Sequence, residues 1–294
     1  MISRKTEWYL VVILCLAALG TSWIVRGPAQ ADGLAHIYVL DIGQGDAIFI
    51  QGPDGRQMLI DGGPSGSRVL DELGAVMPAG DHTIDAILAT HTDADHLTGL
   101  VDVLGRYEVA HIFETGMLCV TATCTKWEEA ATAEGAVREQ PTQGYRIVFA
   151  DDFYFDVLNP ETSVAGQKLS KTNNGGIVLK MTYGKETALF TGDIEKTVED
   201  RLLRQGALLD VDILKVGHHG SKTSTSDAFL AAASPHVALI SVAAKNSYGH
   251  PSPEVIGRLA SFPELRYYRT DIHGRIELTL AKENYAIKTK TQSR

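Results

Sequence analysis

Two aspartates and two histidines fall within six residues of Ala89-Thr90-His91-Thr92-Asp93-Ala94-Asp95-His96-Leu97, and this stretch constrains the fold most tightly. Ile84 to Ala89 before it reads as a buried strand. Leu97, Leu100, Val101 and Leu104 after it follow helical spacing. The ligand-type residues therefore occupy a loop between a strand and a helix. An extended backbone ahead of the helix projects His91 and Asp93 to one side, and the turn into the helix projects Asp95 and His96 to another. Holding two cations a few ångström apart requires this arrangement. Carboxylates crowded together without a counter-charge would repel and shift each other's pKa. The competing reading, a solvated polar loop with a capping Asp, leaves the density of ligand types unexplained.

Distant residues supply partners. Phe190-Thr191-Gly192-Asp193 places Asp193 at a strand end, where a carboxylate can bridge two metals, although an Asp after Gly also caps turns. Lys215-Val216-Gly217-His218-His219-Gly220-Ser221 ends another strand with paired histidines flanked by glycines that allow close backbone approach. Neighbours at a strand end point to opposite sides, so His218 and His219 are expected to serve different partners. Lys215 fits either a phosphate contact or a structural role. His250, in Tyr248-Gly249-His250-Pro251, reads as a substrate-side or supporting residue; the alternative is a loop histidine before the helix that Ser252-Pro253 begins.

The rest of the chain alternates short β-rich runs with amphipathic helical stretches. Ile37 to Leu40, Ala47 to Ile50, Met58 to Ile60, Ile213 to Val216 and Val237 to Ser241 read as strands. Ile177 to Met181 and Ala188 to Phe190 read as a hairpin turning at Tyr183-Gly184-Lys185. Sheets packed together and covered by helices, in one domain of about 250 residues, follow from this order. A formal net charge of −9 argues against a surface that coats nucleic acid generally, but bound cations would supply local positive charge.

Residues 1–31 read as separate from the fold. Arg4 and Lys5 precede an apolar run from Trp8 to Leu19, extended by Trp23 to Val25, and Ala29-Gln30-Ala31 is a small-x-small pattern. A cleaved signal peptide or a retained membrane anchor both fit, and both put the domain outside the cytoplasm. Cys119 and Cys124 then remain as an even pair. A local disulfide suits an oxidising compartment, with two buried thiols as the alternative.

Several pieces resemble the metallo-β-lactamase superfamily and, within it, the hydrolase domain of ComEC-type DNA-uptake proteins. In chain order they are Leu40-Asp41-Ile42-Gly43-Gln44-Gly45-Asp46-Ala47, Leu59-Ile60-Asp61-Gly62-Gly63, His91 to His96, Thr191-Gly192-Asp193, His218-His219-Gly220-Ser221 and Tyr248-Gly249-His250-Pro251. The resemblance implies an α/β (α+β) four-layer αββα sandwich over residues 34–285, with a tail at 286–294. By position it implies that His91 and Asp93 serve one metal and that Asp95 and His96 serve a second. Asp193 bridges the two and His219 completes the second site. Asp61 steadies the ligand loop, and His218 faces the substrate. The catalytic set it implies is His218, Asp193 and Asp95.

Two departures matter. Asp93 stands where most of the superfamily has His. The superfamily's further His ligand before the bridging Asp is missing, and Asn173-Asn174-Gly175-Gly176 occupies that region, which makes Asn173 the expected neighbour of the first metal. An oxygen-rich first site tilts toward Mn²⁺ or Mg²⁺, with Zn²⁺ still a candidate, and makes that ion the more labile. The expected activity is that of an exported phosphodiesterase, with DNA as the substrate the resemblance favours. The alternatives are hydrolysis of another phosphoester, such as a phosphocholine or a cell-envelope polymer, and a non-catalytic binding module on the same fold. The membrane enters only through an uncleaved N-terminal segment. No aromatic-plus-basic stripe for gripping single strands is visible in the sequence.

Overall fold

The computed structural model describes residues 21–23 and 31–290. The first half of the chain runs β1 (Thr21–Trp23), β2 (Ala35–Val39), β3 (Ile48–Gln51), β4 (Gln57–Ile60), α1 (Gly66–Val76), β5 (Thr83–Ala89), α2 (Ala94–Leu104), β6 (Glu108–Glu114), α3 (Ala122–Glu134) and β7 (Val137–Glu139). The second half runs β8 (Arg146–Ala150), β9 (Phe153–Asn159), β10 (Val178–Tyr183), β11 (Glu186–Phe190), α4 (Lys196–Arg204), β12 (Ile213–Lys215), α5 (Asp227–Ala233), β13 (Val237–Ile240), α6 (Pro253–Ala260), β14 (Arg266–Arg269), α7 (Thr270–His273), β15 (Arg275–Ala281) and β16 (Asn284–Lys290).

Two sheets form, in the orders β16-β15-β2-β3-β4-β5-β6-β7 and β1-β8-β9-β10-β11-β12-β13-β14. Apart from the parallel edge pair β1–β8, each sheet runs as an antiparallel meander and then switches to parallel pairing, at β4–β5 in one and β11–β12 in the other. Parallel strands buried on both faces read as near-continuous apolar runs, and Ile84 to Ala89 is apolar but for Asp85, whose carboxylate accepts from the Gln57 amide at 2.8 Å. Ala86 and Leu88 face the other sheet, together with Phe155, Leu179 and Ala188. Ile87 and Ala89 face the helix layer, with Leu97 and Leu100 of α2 and Val69 and Leu73 of α1. The outer face of the second sheet is covered by Val198 and Leu202 of α4, Phe229 and Leu230 of α5, and Val255 and Leu259 of α6. The expected αββα sandwich is the observed architecture.

Local expectations hold at several elements. β10 and β11 pair from Leu179–Phe190 to Tyr183–Glu186, so the hairpin turns on Gly184-Lys185 alone, with Gly184 at φ +58°. Ser252 caps α6 by accepting from the Val255 amide, and Pro253 takes the first helical position. Cys119 and Cys124 form a disulfide between the loop after β6 and the first turn of α3.

At the C-terminus the sheet extends past the expected boundary at 285, because β16 pairs along β15 as far as Lys290. Residues 286–290 are therefore strand, not tail. The polar composition of Lys288, Thr289 and Lys290 hides this, since an edge strand has little apolar surface to bury. At the N-terminus, Thr21–Trp23 pairs parallel to Arg146–Val148. The remainder of the expected export segment lies outside the described residues. Among the described residues no helix is long and apolar enough to cross a membrane.

Candidate metal centre

The ligand-type residues collect where strands end. Asp61 follows β4, His91 to His96 follow β5, Asp193 follows β11, and His218 and His219 follow β12. The carboxyl ends of strands are the usual ligand-binding edge of open α/β sheets. Close backbone approach locks the loops of the first sheet against one another. A Cβ on Gly45 would lie 1.9 Å from the Asp95 carbonyl oxygen, and Gly45 sits at φ +111°, so this position requires glycine. A Cβ on Gly99 would lie 1.9 Å from the Gly62 carbonyl, which is how α2 presses against the Asp61 turn.

Hydrogen bonds orient each imidazole. Asp61 is fully buried and accepts from the Thr90 amide at 2.8 Å and the Thr90 hydroxyl at 2.7 Å. The Thr90 hydroxyl, having donated to Asp61, accepts from His91 Nδ1–H at 2.9 Å. His96 Nδ1–H donates to Asp61 Oδ2 at 2.8 Å. His219 Nδ1–H donates to the Ser241 carbonyl at 3.0 Å, with Asp46 Oδ1 at 3.3 Å. All three rings therefore carry a hydrogen-bonded proton on Nδ1 and direct Nε2 into the same space, the arrangement typical of metal-ligating histidines.

The donor atoms fit divalent ions. His91 Nε2, His96 Nε2, His219 Nε2 and Asp193 Oδ1 are buried and have no hydrogen-bond partner among the described residues. Four such atoms in one place demand an explanation. His96 Nε2 lies 3.3 Å from Asp193 Oδ2, His219 Nε2 lies 3.2 Å from the same oxygen, and His219 Nε2 lies 3.5 Å from Asp95 Oδ2. Ligand atoms held about 2.1 Å from one tetrahedral ion sit about 3.4 Å apart, which matches these spacings. Asp95, His96 and His219 can converge on one ion, and His91, His96 and Asp193 form an overlapping set.

Charge tells the same story. Burial alone would raise the Asp193 pKa, but His219 and His96 hold it well below the usual carboxylate range. Burial alone would depress His96 and His219, yet Asp193, with Asp61 beside one ring and Asp46 beside the other, raises both well above the ordinary histidine value. His91 is shifted down, by burial and then by His96. The acids around His96 and His219 therefore favour the protonated rings, and a bound cation competes with that proton.

The outer residues depart from expectation in instructive ways. Asp93 is half exposed; its Oδ1 accepts from the Thr172 hydroxyl at 2.7 Å, while its Oδ2 stays 3.8 Å from His91 Nε2. Asn173 is drawn to His218, its Nδ2 3.5 Å from His218 Nδ1. His218 and His219 do diverge, but not through strand alternation. Both adopt left-handed backbone, at φ +50° and +53°, and their rings meet edge-on at 6.0 Å. His218 is about a quarter exposed, and its Nε2 is 3.7 Å from Asp193 Oδ2. Its ring meets that of His250 edge-on at 5.6 Å.

Lys215 cannot reach a phosphate: it is fully buried and pairs with Asp46 Oδ2 at 2.8 Å. Asp46 is the residue that reasoning from sequence missed. Burial would raise its pKa, but Lys215 and His219 hold it far below the usual range. The signal available was its place at the end of Gly43-Gln44-Gly45-Asp46, where glycine-enabled backbone approach points inward. A cavity of about 450 Å³ opens beside His91 and Thr92, walled by Met117, Leu118, Trp127 and the Cys119–Cys124 disulfide.

Comparison with known proteins agrees with this geometry. The model of the metallo-β-lactamase superfamily matches residues 40–244. The chain is 32% identical to ComE operon protein 3 of Bacillus subtilis (strain 168) over 260 residues, which cover 82% of this chain and 32% of that protein. It is 28% identical to competence protein ComA of Neisseria gonorrhoeae over 258 residues, covering 87% of this chain and 34% of that one. The chain thus spans about a third of the length of these relatives. Among solved structures, CmlA, a diiron β-hydroxylase from Streptomyces venezuelae, aligns with a TM-score of 0.52 at 14% identity, covering 86% of this chain and 55% of that one. Zn²⁺-bound PqqB from Methylobacterium extorquens aligns with a TM-score of 0.51 at 11% identity, covering 80% and 97%. These two likenesses show the fold alone. The chain belongs to the metallo-β-lactamase superfamily, whose fold supports a metal-dependent hydrolase, gathers His/Asp groups that could hold metal ions, and is related to competence proteins.

Proposed function

We propose that this protein is an exported, metal-dependent phosphodiesterase that cleaves DNA. The observation that carries the reading is the set of buried, unpartnered donors on His91, His96, His219 and Asp193, in a chain whose relatives bear competence names. Two divalent ions, when bound, would bring a water's pKa toward neutrality and polarise a phosphoryl oxygen. Asp95, His96 and His219 would hold one ion, His91 and Asp93 the other, with Asp193 between them. Imidazole with carboxylate suits Zn²⁺ or Mn²⁺, and Mg²⁺ is a weaker candidate.

The chain's own groups do the rest. Asp61 keeps the proton of His96 on Nδ1, and the Ser241 carbonyl, with Asp46 close by, keeps that of His219 there, which leaves each Nε2 free. His218 stands on the open side of Asp193, where it can deliver a proton to a leaving oxygen. Asn173 and the Thr223 hydroxyl, 3.5 Å and 3.4 Å from His218 Nδ1, steady that ring. No Ser or Cys nucleophile is required.

The test is incubation of the full chain, loaded with Mn²⁺ or Zn²⁺, with single-stranded DNA, duplex DNA, bis(p-nitrophenyl) phosphate and a phosphocholine ester. Cleavage of DNA is expected. Turnover of the phosphocholine ester alone would replace the substrate, and protein that takes up no metal would point to a binding module. Export is checked separately by N-terminal sequencing of the protein recovered from outside the cytoplasm.

A further inference from the structure

One feature at the mouth of the site has no part in metal binding. The loop after β13 is held by Asn246, whose Oδ1 accepts from the Tyr248 amide at 3.2 Å and the His250 amide at 3.0 Å. Its Nδ2 donates to the Ala243 carbonyl at 3.0 Å and the His250 carbonyl at 2.7 Å. This small, bonded loop holds Tyr248 out in water, 67% exposed. The ring thus presents one face to whatever reaches the mouth of the site.

Tyr248 is not isolated. Its ring stacks on His250 at 5.7 Å with 20° between planes; His250 meets His218 edge-on at 5.6 Å, and His218 lies 3.7 Å from Asp193. A ladder of three rings therefore runs from solvent to the metal centre. Lys245 stands three residues before Tyr248 on the same loop, and Lys222 stands four residues after His218; both are exposed. Neither has an ion-pair partner among the described residues. A ring stack that opens to solvent is the kind of face on which unpaired bases stack. The sequence conceals this ladder because its rings are spread over about 30 residues and meet only in the folded chain.

We propose that Tyr248, backed by His250, is a platform on which an unpaired nucleobase stacks, so that the enzyme prefers single-stranded over duplex DNA. The inference rests on the DNA reading above. A base stacked on Tyr248 would leave its flanking phosphate to follow the ring ladder inward. A paired base, already stacked within its own duplex, cannot use the platform without being splayed out.

The experiment compares a short oligothymidylate with an abasic strand of equal length, using the full metal-loaded chain and Tyr248→Ala, Tyr248→Leu and Tyr248→Phe. The wild type should favour oligothymidylate. Tyr248→Ala and Tyr248→Leu should raise KM for oligothymidylate roughly tenfold while leaving kcat and abasic-strand cleavage within about twofold, and Tyr248→Phe should restore KM. Leucine keeps the bulk without the ring face, so KM unchanged in Tyr248→Leu overturns the proposal. Equal losses on both strands also overturn it, since they would mark a structural role. Equal wild-type cleavage of both strands overturns the platform but leaves the DNA reading standing. Hydrolysis of bis(p-nitrophenyl) phosphate with neither strand cleaved removes the DNA reading and the platform with it.

Discussion

Asp193 is within 4 Å of His96, His218 and His219, which makes it the residue whose loss should be felt by the whole site. Asp193→Ala should abolish turnover while circular dichroism stays native, because the side chain lies past the end of β11 and not within either sheet. A loss smaller than tenfold, about 1.4 kcal/mol of barrier, would reduce it to a turn residue. The adjacent histidines should separate cleanly. His219→Ala should lose metal, and His218→Ala should keep metal while losing roughly 10²–10³ in rate, read by elemental analysis and turnover on the same preparations. Retention of metal by His219→Ala with loss in His218→Ala would swap their roles. The raised His96 and His219 pKa values add a pH dependence. In metal-free protein the stability from these protonated rings is complete below their unfolded value of 6.5 and fades as pH rises through their higher folded values. Metal requires the neutral rings, so affinity should rise with pH and loading should release protons. Calorimetry in two buffers of different ionisation enthalpy tests this, and a buffer-independent loading enthalpy near neutral pH would contradict it. Ligand types in one short loop were legible from sequence. The Asp46–Lys215 pair was not, because 169 residues of chain separate partners that only the two-sheet closure brings together.

The element that joins these residues is the turn between β2 and β3, where the backbone at Gly45 comes against the first turn of α2. Gly45→Ala places a methyl group 1.9 Å from the Asp95 carbonyl, so the ligand loop must retreat. The expected result is loss of metal together with several kcal/mol of stability, since a backbone atom cannot rotate away. Gly80→Ala serves as the control: φ is also positive, at +84°, but the added methyl meets nothing within 4 Å, so the cost should be about 1 kcal/mol with metal retained. Equal melting shifts and equal metal content in the two variants would show that the close approach does not position Asp95. Elements of this kind divide by how visible they are. β5 and α2 could be read from hydrophobic period because each buries a full face. The short turns at Asn173 and His218 could not, because their conformations are set by what they pack against: Asn173 by the His218 ring, and His218 by the Gly192 carbonyl that accepts its amide at 3.1 Å.

Across the whole molecule, the ligands come from both sheets. His91 to His96 and Asp61 hang from the sheet that holds β4 and β5, and Asp193 and His219 hang from the sheet that holds β11 and β12. The apolar contact between sheets clamps their faces, but at this edge the contacts are carboxylates and imidazoles, whose mutual attraction is offset by the desolvation of each buried charge. Ions bound here would link the two halves of the sandwich at its most polar point, and they would bind the folded chain alone because His219 lies more than 100 residues from the His91 to His96 loop. Linkage then requires stabilisation: at 100 times Kd one ion contributes about 2.7 kcal/mol. For a domain of this size that corresponds to a rise in Tm of roughly 5–10 °C. Scanning calorimetry of the full chain should show this rise on loading with Mn²⁺ or Zn²⁺, reversal by a chelator, and close to two ions per chain by elemental analysis. Asp193→Ala should flatten the response, since it removes the carboxylate placed between the two ion positions. A Tm indifferent to metal in the wild type, with no ion retained, would mean that the unpartnered donors are satisfied some other way, and the metal centre would have to be abandoned.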